Sequence, residues 1–329
     1  MLVGESKRAG GDWIRRSLIA IVLLDVIVLS FYWLYTPSLF EELEGHRTGA
    51  NCSAISNDGM FLATGTDAGV IRIWDSDGEF LKNITGHSGR ISCICFSTSM
   101  GRLATGGGKG EIRVWSVPAG IETVMMQENN EAVLDLAFSD DGQWLYSVGQ
   151  SASLCIWDVF GGKLVTKVPL PAIGTTCALH PKEPKLLVGC EDGIVRMCDV
   201  SSKQVTDVLV GHSGSITGLA VTADWMKVAT SAEDRTVRLW DLNRRSQLAS
   251  SRSRAIPEDV VFCDGDRHLL SGTQQGHLHV ISVQDGKRVC HVATPLRRVQ
   301  DLSNKLDVCV AAGNKAKAIL FSFEDLMTQ

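Results

Sequence analysis

Apolar and polar positions alternate in short bursts through most of the chain. Examples are Ile91-Ser92-Cys93-Ile94-Cys95-Phe96, followed by Leu103-Ala104-Thr105 and Ile112-Arg113-Val114-Trp115. A period of two sends successive side chains to opposite sides of an extended segment, so each burst predicts a strand. Turn signals lie between the bursts, among them Asp140-Asp141-Gly142, Asp264-Gly265 and Asp285-Gly286. The bursts also recur: VIRIWD (70–75), EIRVWS (111–116), SLCIWD (153–158), IVRMCD (194–199), TVRLWD (236–241), LHVISV (278–283) and AILFSF (318–323). Trp74, Trp115, Trp157, Cys198, Trp240, Ile281 and Phe321 follow one another at separations of 41, 42, 41, 42, 41 and 40. Seven units of this length predict seven four-stranded sheets, each too thin to bury both faces alone and therefore stacked into a ring. No helix is expected after Pro37.

Ahead of the strands the pattern is different. SLIAIVLLDVIVLSFYWLYT, residues 17–36, is largely apolar, and Asp25 is its one charged side chain. At about 1.5 Å per residue such a run covers roughly 30 Å as a helix, the thickness of a bilayer core. Tyr32, Trp33 and Tyr35 gather at one end, where amphipathic rings favour headgroups, and Pro37 ends the run. A retained transmembrane helix is predicted rather than a cleaved signal peptide, because the run is long and no small-residue cleavage site follows it. Lys7, Arg8, Arg15 and Arg16 precede it and Glu41, Glu42 and Glu44 follow, which keeps the N-terminus on the synthesis side. A carboxylate in mid-bilayer is costly, so Asp25 is expected to make an intramembrane contact with a partner.

The repeats resemble those of the WD-repeat β-propeller family over nearly all of the chain from Ser38 to Phe323. Gly45-His46, Gly86-His87 and Gly211-His212 each place a histidine 28 residues before Trp74, Trp115 and Trp240. The resemblance implies an all-β, seven-bladed propeller, and the apolar run puts one transmembrane helix before it. The domains expected are a polar N-terminus (1–16), the span (17–36) and the propeller (38–329). It also implies a structural hydrogen-bond set, complete in the fifth unit as His212, Thr230, Asp234 and Trp240 and partial in the first two. Lys109 stands where the second unit would carry its turn aspartate, and the sixth and seventh units keep only the strand pattern, so packing is expected to hold them. In the family the outer strand of each blade comes from the start of the next repeat. Residues 38–44 should then close the last blade, with Glu41, Glu42 and Glu44 facing Lys315 and Lys317.

Composition narrows the function. A net charge of −5 and a pI near 5.9 give no reason to expect nucleic-acid binding. The ten cysteines form no C-x-x-C pair and sit mostly in strands, as buried free thiols would. GGGKG (106–110) lacks the residues of a phosphate loop, because Leu103 and Gly110 stand where Gly and Ser or Thr are needed. His277 and His279 have no obvious third ligand, and no nucleophile–base set stands out. No active site, cofactor or small-molecule substrate is expected. Free thiols argue against an oxidising lumen, where Asn51-Cys52-Ser53 and Asn83-Ile84-Thr85 would be glycosylation acceptors.

The expected function is a non-catalytic scaffold, a structural subunit of a larger membrane complex, with a membrane-tethered adaptor for a soluble partner as the alternative. A mitochondrial membrane is favoured over the endoplasmic reticulum. Arg47 and Arg90 are candidate partner contacts on one face. Arg244, Arg245, Arg297 and Arg298 belong to a locally basic region of blades five to seven that would meet a partner or lipid headgroups.

Overall fold

Seven antiparallel sheets of four strands each account for the alternating bursts in a computed structural model of the chain. It describes residues 39–328 apart from 44, 100, 128–129, 181, 306–307 and 314–316. The predicted span 17–36, with Asp25, lies outside the described residues, as do Glu44 and Lys315. Among the described residues no helix is long and apolar enough to cross a membrane.

Each blade reads inner, second, third and outer strand in chain order, as in Ile216–Val221, Lys227–Ala232, Thr236–Asp241 and Ser246–Arg252 of blade five. Second strands are buried almost end to end, and outer strands such as Phe80–Thr85 are largely exposed. The core is a series of wedges between blades rather than one central mass. In one wedge Ile71, Ile73 and Ile84 of blade one pack on Ile91, Leu103 and Trp115 of blade two.

The inner strands ring a cavity of about 580 Å³. Each inner strand carries a register shift at its start, for example between Val133 and Asp135, Pro257 and Asp259, and Val299 and Asp301. Such a bulge re-aims the next side chain.

The seventh sheet orders Val299–Lys305, Val308–Gly313, Lys317–Ser322 and then Glu41–Glu42, so its outer strand comes from the other end of the chain. Glu41 pairs with Leu320 and Glu42 with Ile319, and the Leu43 N–H donates to the Ala318 carbonyl at 2.9 Å. Lys317 Nζ stands 2.6 Å from Glu42 Oε1. Leu43 is buried with Trp74, Val310 and Leu320 in the wedge between blades seven and one. Regular pairing is confined to two residues, because Gly45, at φ +91°, turns the chain away towards blade one.

One expectation is corrected. A short helix, Phe323–Met327, follows the last strand, capped by Ser322, whose hydroxyl accepts from the Asp325 N–H. The N-terminal segment already supplies the outer strand of blade seven. The departing chain is therefore free to turn into a helix, and it buries Phe323 and Leu326.

Candidate interaction surface and the polar networks beneath it

The loops joining consecutive blades and the turns between second and third strands share one end of the ring. Directly below them lie the histidines. His212 is buried, with Nδ1 2.8 Å from Asp234 Oδ2 and Nε2 2.8 Å from Thr230 Oγ1. Trp240 Nε1–H donates to the same Thr230 hydroxyl at 2.8 Å. One proton arrangement satisfies every group: the indole donates to Thr230, Thr230 donates to Nε2, and Nδ1–H donates to Asp234. The ring must be neutral for this, and burial does hold its pKa below the usual histidine value against the pull of Asp234. Asp234 also accepts from the Ser213 N–H at 3.1 Å and the Thr236 hydroxyl at 2.6 Å. Its pKa is lowered, those bonds and His212 outweighing burial.

Blades one and two reach the same end differently. His46 Nε2 is 2.8 Å from Thr64 Oγ1, but the turn position holds Ala68, and Nδ1–H donates instead to the Leu43 carbonyl at 3.0 Å. Burial drives the His46 pKa down to about 4. Trp74 Nε1 reaches Thr64 only at 3.5 Å. In blade two, His87 Nε2 is 2.6 Å from Thr105 Oγ1, and Trp115 donates to that hydroxyl at 2.9 Å.

The residue facing His87 Nδ1 is Glu111, two positions beyond Lys109. Its Oε1 is 3.3 Å away, close enough for charge attraction but out of line for a hydrogen bond. Glu111 accepts from the Ser88 N–H at 2.8 Å and pairs with Arg113 at 3.0 Å. Burial pushes its carboxyl up, but those donors pull it down to about 2. The longer side chain thus replaces the turn aspartate from the next strand. The signal was present in the sequence as an acid opening the EIRVW burst, one residue before its apolar Ile112 and two before Arg113.

Sequence reasoning missed a second network, at the axis. Asp301 Oδ2 of blade seven accepts from the Ser53 N–H at 2.7 Å and its hydroxyl at 2.8 Å, both in blade one. Asp259 of blade six accepts from the Leu302 N–H at 2.9 Å, and Asp135 of blade three from the Cys177 N–H at 2.7 Å. Gly218 leaves room for this device, since a Cβ there would lie 2.4 Å from Asp259 Oδ1. Burial raises the Asp135 pKa to about 6 and that of Asp301 to about 7; Asp259 is also raised, by burial and then by Asp301. All three keep some surface open to the cavity. The visible clue was an aspartate at one register in VLDLAF, PEDVVFC and VQDLSNK. Blades six and seven are therefore tied by aspartates as well as by the expected packing.

The basic residues are not one patch. Arg244 and Arg245 sit in the turn between the third and outer strands of blade five, at the opposite end of the ring from Arg47, Arg90, Arg297 and Arg298. Arg245 is 2.6 Å from Asp207 and Arg298 2.7 Å from Glu258; Arg244 and Arg90 have looser acidic neighbours, Asp241 at 3.9 Å and Asp67 at 3.7 Å. Arg47 and Arg297 are exposed and make no ion pair among the described residues.

None of the ten cysteines is in a disulfide, and burial raises thiols such as Cys52 and Cys93 far above their usual range, which leaves them inert. Asn51 is buried and donates to Asp67 at 2.8 Å, so only Asn83 of the two acceptor sequences is exposed. His277, His279 and His291 come together in blade six with ring centroids 6.3 Å apart. No metal-holding group occurs among the described residues.

Fold and networks define a seven-bladed β-propeller, and four of its segments carry a family match. Residues 37–75, 78–116, 122–158 and 203–241 match the family described as WD domain, G-beta repeat. Similar proteins include Protein groucho of Drosophila melanogaster, 24% identical over 144 residues, 43% of this chain and 20% of that protein. Another is the U3 small nucleolar RNA-associated protein 15 homolog of Xenopus laevis, 25% identical over 159 residues, 47% of this chain and 30% of that protein. The chain thus matches less than a third of the length of either relative.

Proposed function

We propose that this protein is a non-catalytic scaffold whose propeller holds protein partners as a structural subunit of a membrane assembly, anchored through residues 17–36. The observation that carries the scaffold reading is a rigid ring of wedge-packed WD repeats whose inter-blade loops present exposed, uncommitted side chains such as Arg47 and Arg297. Rigid surface of this kind holds a partner with little loss of conformational freedom on binding. The membrane part rests on the length and apolarity of the span and on the cost of Asp25 within it, which a neighbouring helix would offset. A mitochondrial membrane fits the free thiols best.

Detergent extraction followed by co-purification tests this. A stoichiometric set of membrane proteins that survives high salt is expected, and Asp25→Leu should release it more readily while Asp25→Asn keeps part of it. The second reading, a tethered adaptor, is favoured by the exposed arginines, since rim charges give salt-sensitive and reversible contacts. A soluble client lost at moderate salt would select it. Full extraction of the chain by carbonate would overturn the anchor in both readings.

A further inference from the structure

We infer that half of the inter-blade loop face, from blade six round to blade two, docks an acidic polypeptide segment of a partner. This rests on the scaffold reading and gives that partner its chemistry. Arg254 lies in the loop before blade six, Arg297 before blade seven, Arg47 before blade one and Arg90 before blade two, with Lys109 in the adjoining turn of blade two. All five are exposed, and Arg47, Arg254 and Arg297 make no ion pair among the described residues. Elsewhere on a chain of net charge −5 several arginines are coupled to acids, as in Arg113 with Glu122, Arg196 with Asp192 and Arg245 with Asp207, whereas scattered ones such as Arg235, Arg252 and Arg288 are not, among the described residues; the arc differs in gathering its arginines on adjoining loops. Arg47 is also close enough to Arg72 to depress that guanidinium, second to burial, so the arc is a site of concentrated positive charge.

The other half of the same face is mainly acidic, with Arg235 beside Glu233 as an exposed basic residue. Glu131 before blade three, Glu191 in the turn of blade four and Glu233 in that of blade five are all exposed. This division selects the shape of the ligand. A bilayer is flat and would press anionic headgroups against Glu131, Glu191 and Glu233 as well as against the arginines, and a wide nucleic acid covering the ring would do the same. A single extended acidic segment can follow the arc alone. Arg90 and Arg298 also line the mouth of the axial cavity, so the positive arc reaches from the rim to the edge of the well. Charges so placed govern encounter rate and salt dependence more than final affinity.

The test is fluorescence anisotropy of a labelled dodecapeptide of alternating Glu and Gly with the purified full chain at low salt. Binding that weakens with salt is expected, and the triple variant Arg47→Glu, Arg254→Glu, Arg297→Glu should weaken it about tenfold. The melting temperature should be unchanged, because the three side chains are exposed and unpaired. Arg297→Gln, measured in parallel, should weaken binding less than the triple reversal, and Glu131→Lys with Glu191→Lys should not weaken it. Unchanged binding in the triple variant overturns the inference. So does equal or tighter binding of oligothymidylate or of phosphatidylcholine–phosphatidylserine vesicles, lost in the same variant. If the triple variant still co-purifies with every membrane partner, the scaffold reading stands and this inference falls.

Discussion

Blade five satisfies its buried histidine and tryptophan through side chains of its own, His212, Thr230, Asp234 and Trp240, whereas blade seven has neither ring and is tied outward, to blade one, by Asp301 and by Glu41–Glu42. The first device stiffens one blade; the second holds two blades together where the ring would otherwise open. Loss of a polar partner in blade five should therefore be felt locally, and loss of one at the junction of blades seven and one should be felt by the whole ring. Their protons differ as well: the histidine sets need neutral rings, and the axial carboxylates bind protons more readily than usual.

The largest effect expected is at the junction. A chain beginning at Thr48 loses Glu41–Glu42, buried Leu43 and His46, and Leu43 alone is worth about 2–5 kcal/mol on the scale of core leucines. Thermal melting should fall well below that of a chain beginning at Ser38. Equal midpoints would mean that the ring closes without its N-terminal strand.

Asp301→Ala is next. It leaves the Ser53 N–H and hydroxyl without their acceptor, at a cost of about 1–3 kcal/mol in a denaturant titration. Asp301→Asn keeps an acceptor and removes the titration, which separates the two networks by pH. The His46 and His279 pKa values lie near 4, below the ordinary 6.5, so the folded chain takes up fewer protons than the unfolded one, and these groups cost stability as pH falls through that window. Asp301, raised from 3.8 to about 7, acts oppositely and costs stability as pH rises through its window. The stability of Asp301→Asn should thus climb relative to the native chain between about pH 4 and 7. A constant difference across that range would show that Asp301 does not titrate there.

The repeat was legible because a strand's period of two and a unit's period near forty-one are written in apolar residues, which burial forces to recur. The succession of sheets, the pairing of Glu41–Glu42 with the last sheet and the fifth hydrogen-bond set could be anticipated from those positions and the resemblance they carry. The axial aspartates could not, because Asp259 and Asp301 find their acceptor role only once a bulge and a neighbouring blade place Leu302 and Ser53 opposite them. Nor could the division of the arginines between two ends of the ring, since Arg245 and Arg297 look alike until the path of each strand assigns them a face. The short helix escaped because Phe323 fits a strand burst as well as it fits a helix start.

In blade five itself, Asp234→Ala should cost about 1–3 kcal/mol, because it strips His212 Nδ1 and the Ser213 N–H of their partner below the surface.

The smallest effect separates position from function in blade two. Lys109 occupies the turn site that aspartate fills in blade five, yet its side chain is exposed and reaches only the Ser88 carbonyl, at 3.3 Å. Lys109→Ala should therefore shift stability by no more than about 0.5 kcal/mol. Glu111→Ala, two residues on, removes the acceptor of the Ser88 N–H, the counter-charge of Arg113 and the carboxylate facing His87, and should cost about 1–2 kcal/mol. If Glu111 has taken over the missing turn acid, Lys109→Asp introduced into Glu111→Ala should recover part of that loss, because the shorter acid at the turn can reach His87 as Asp234 reaches His212. Recovery would make the two blades variants of one device; a further fall would mean that blade two depends on the Glu111–Arg113 pair itself, with the histidine a bystander.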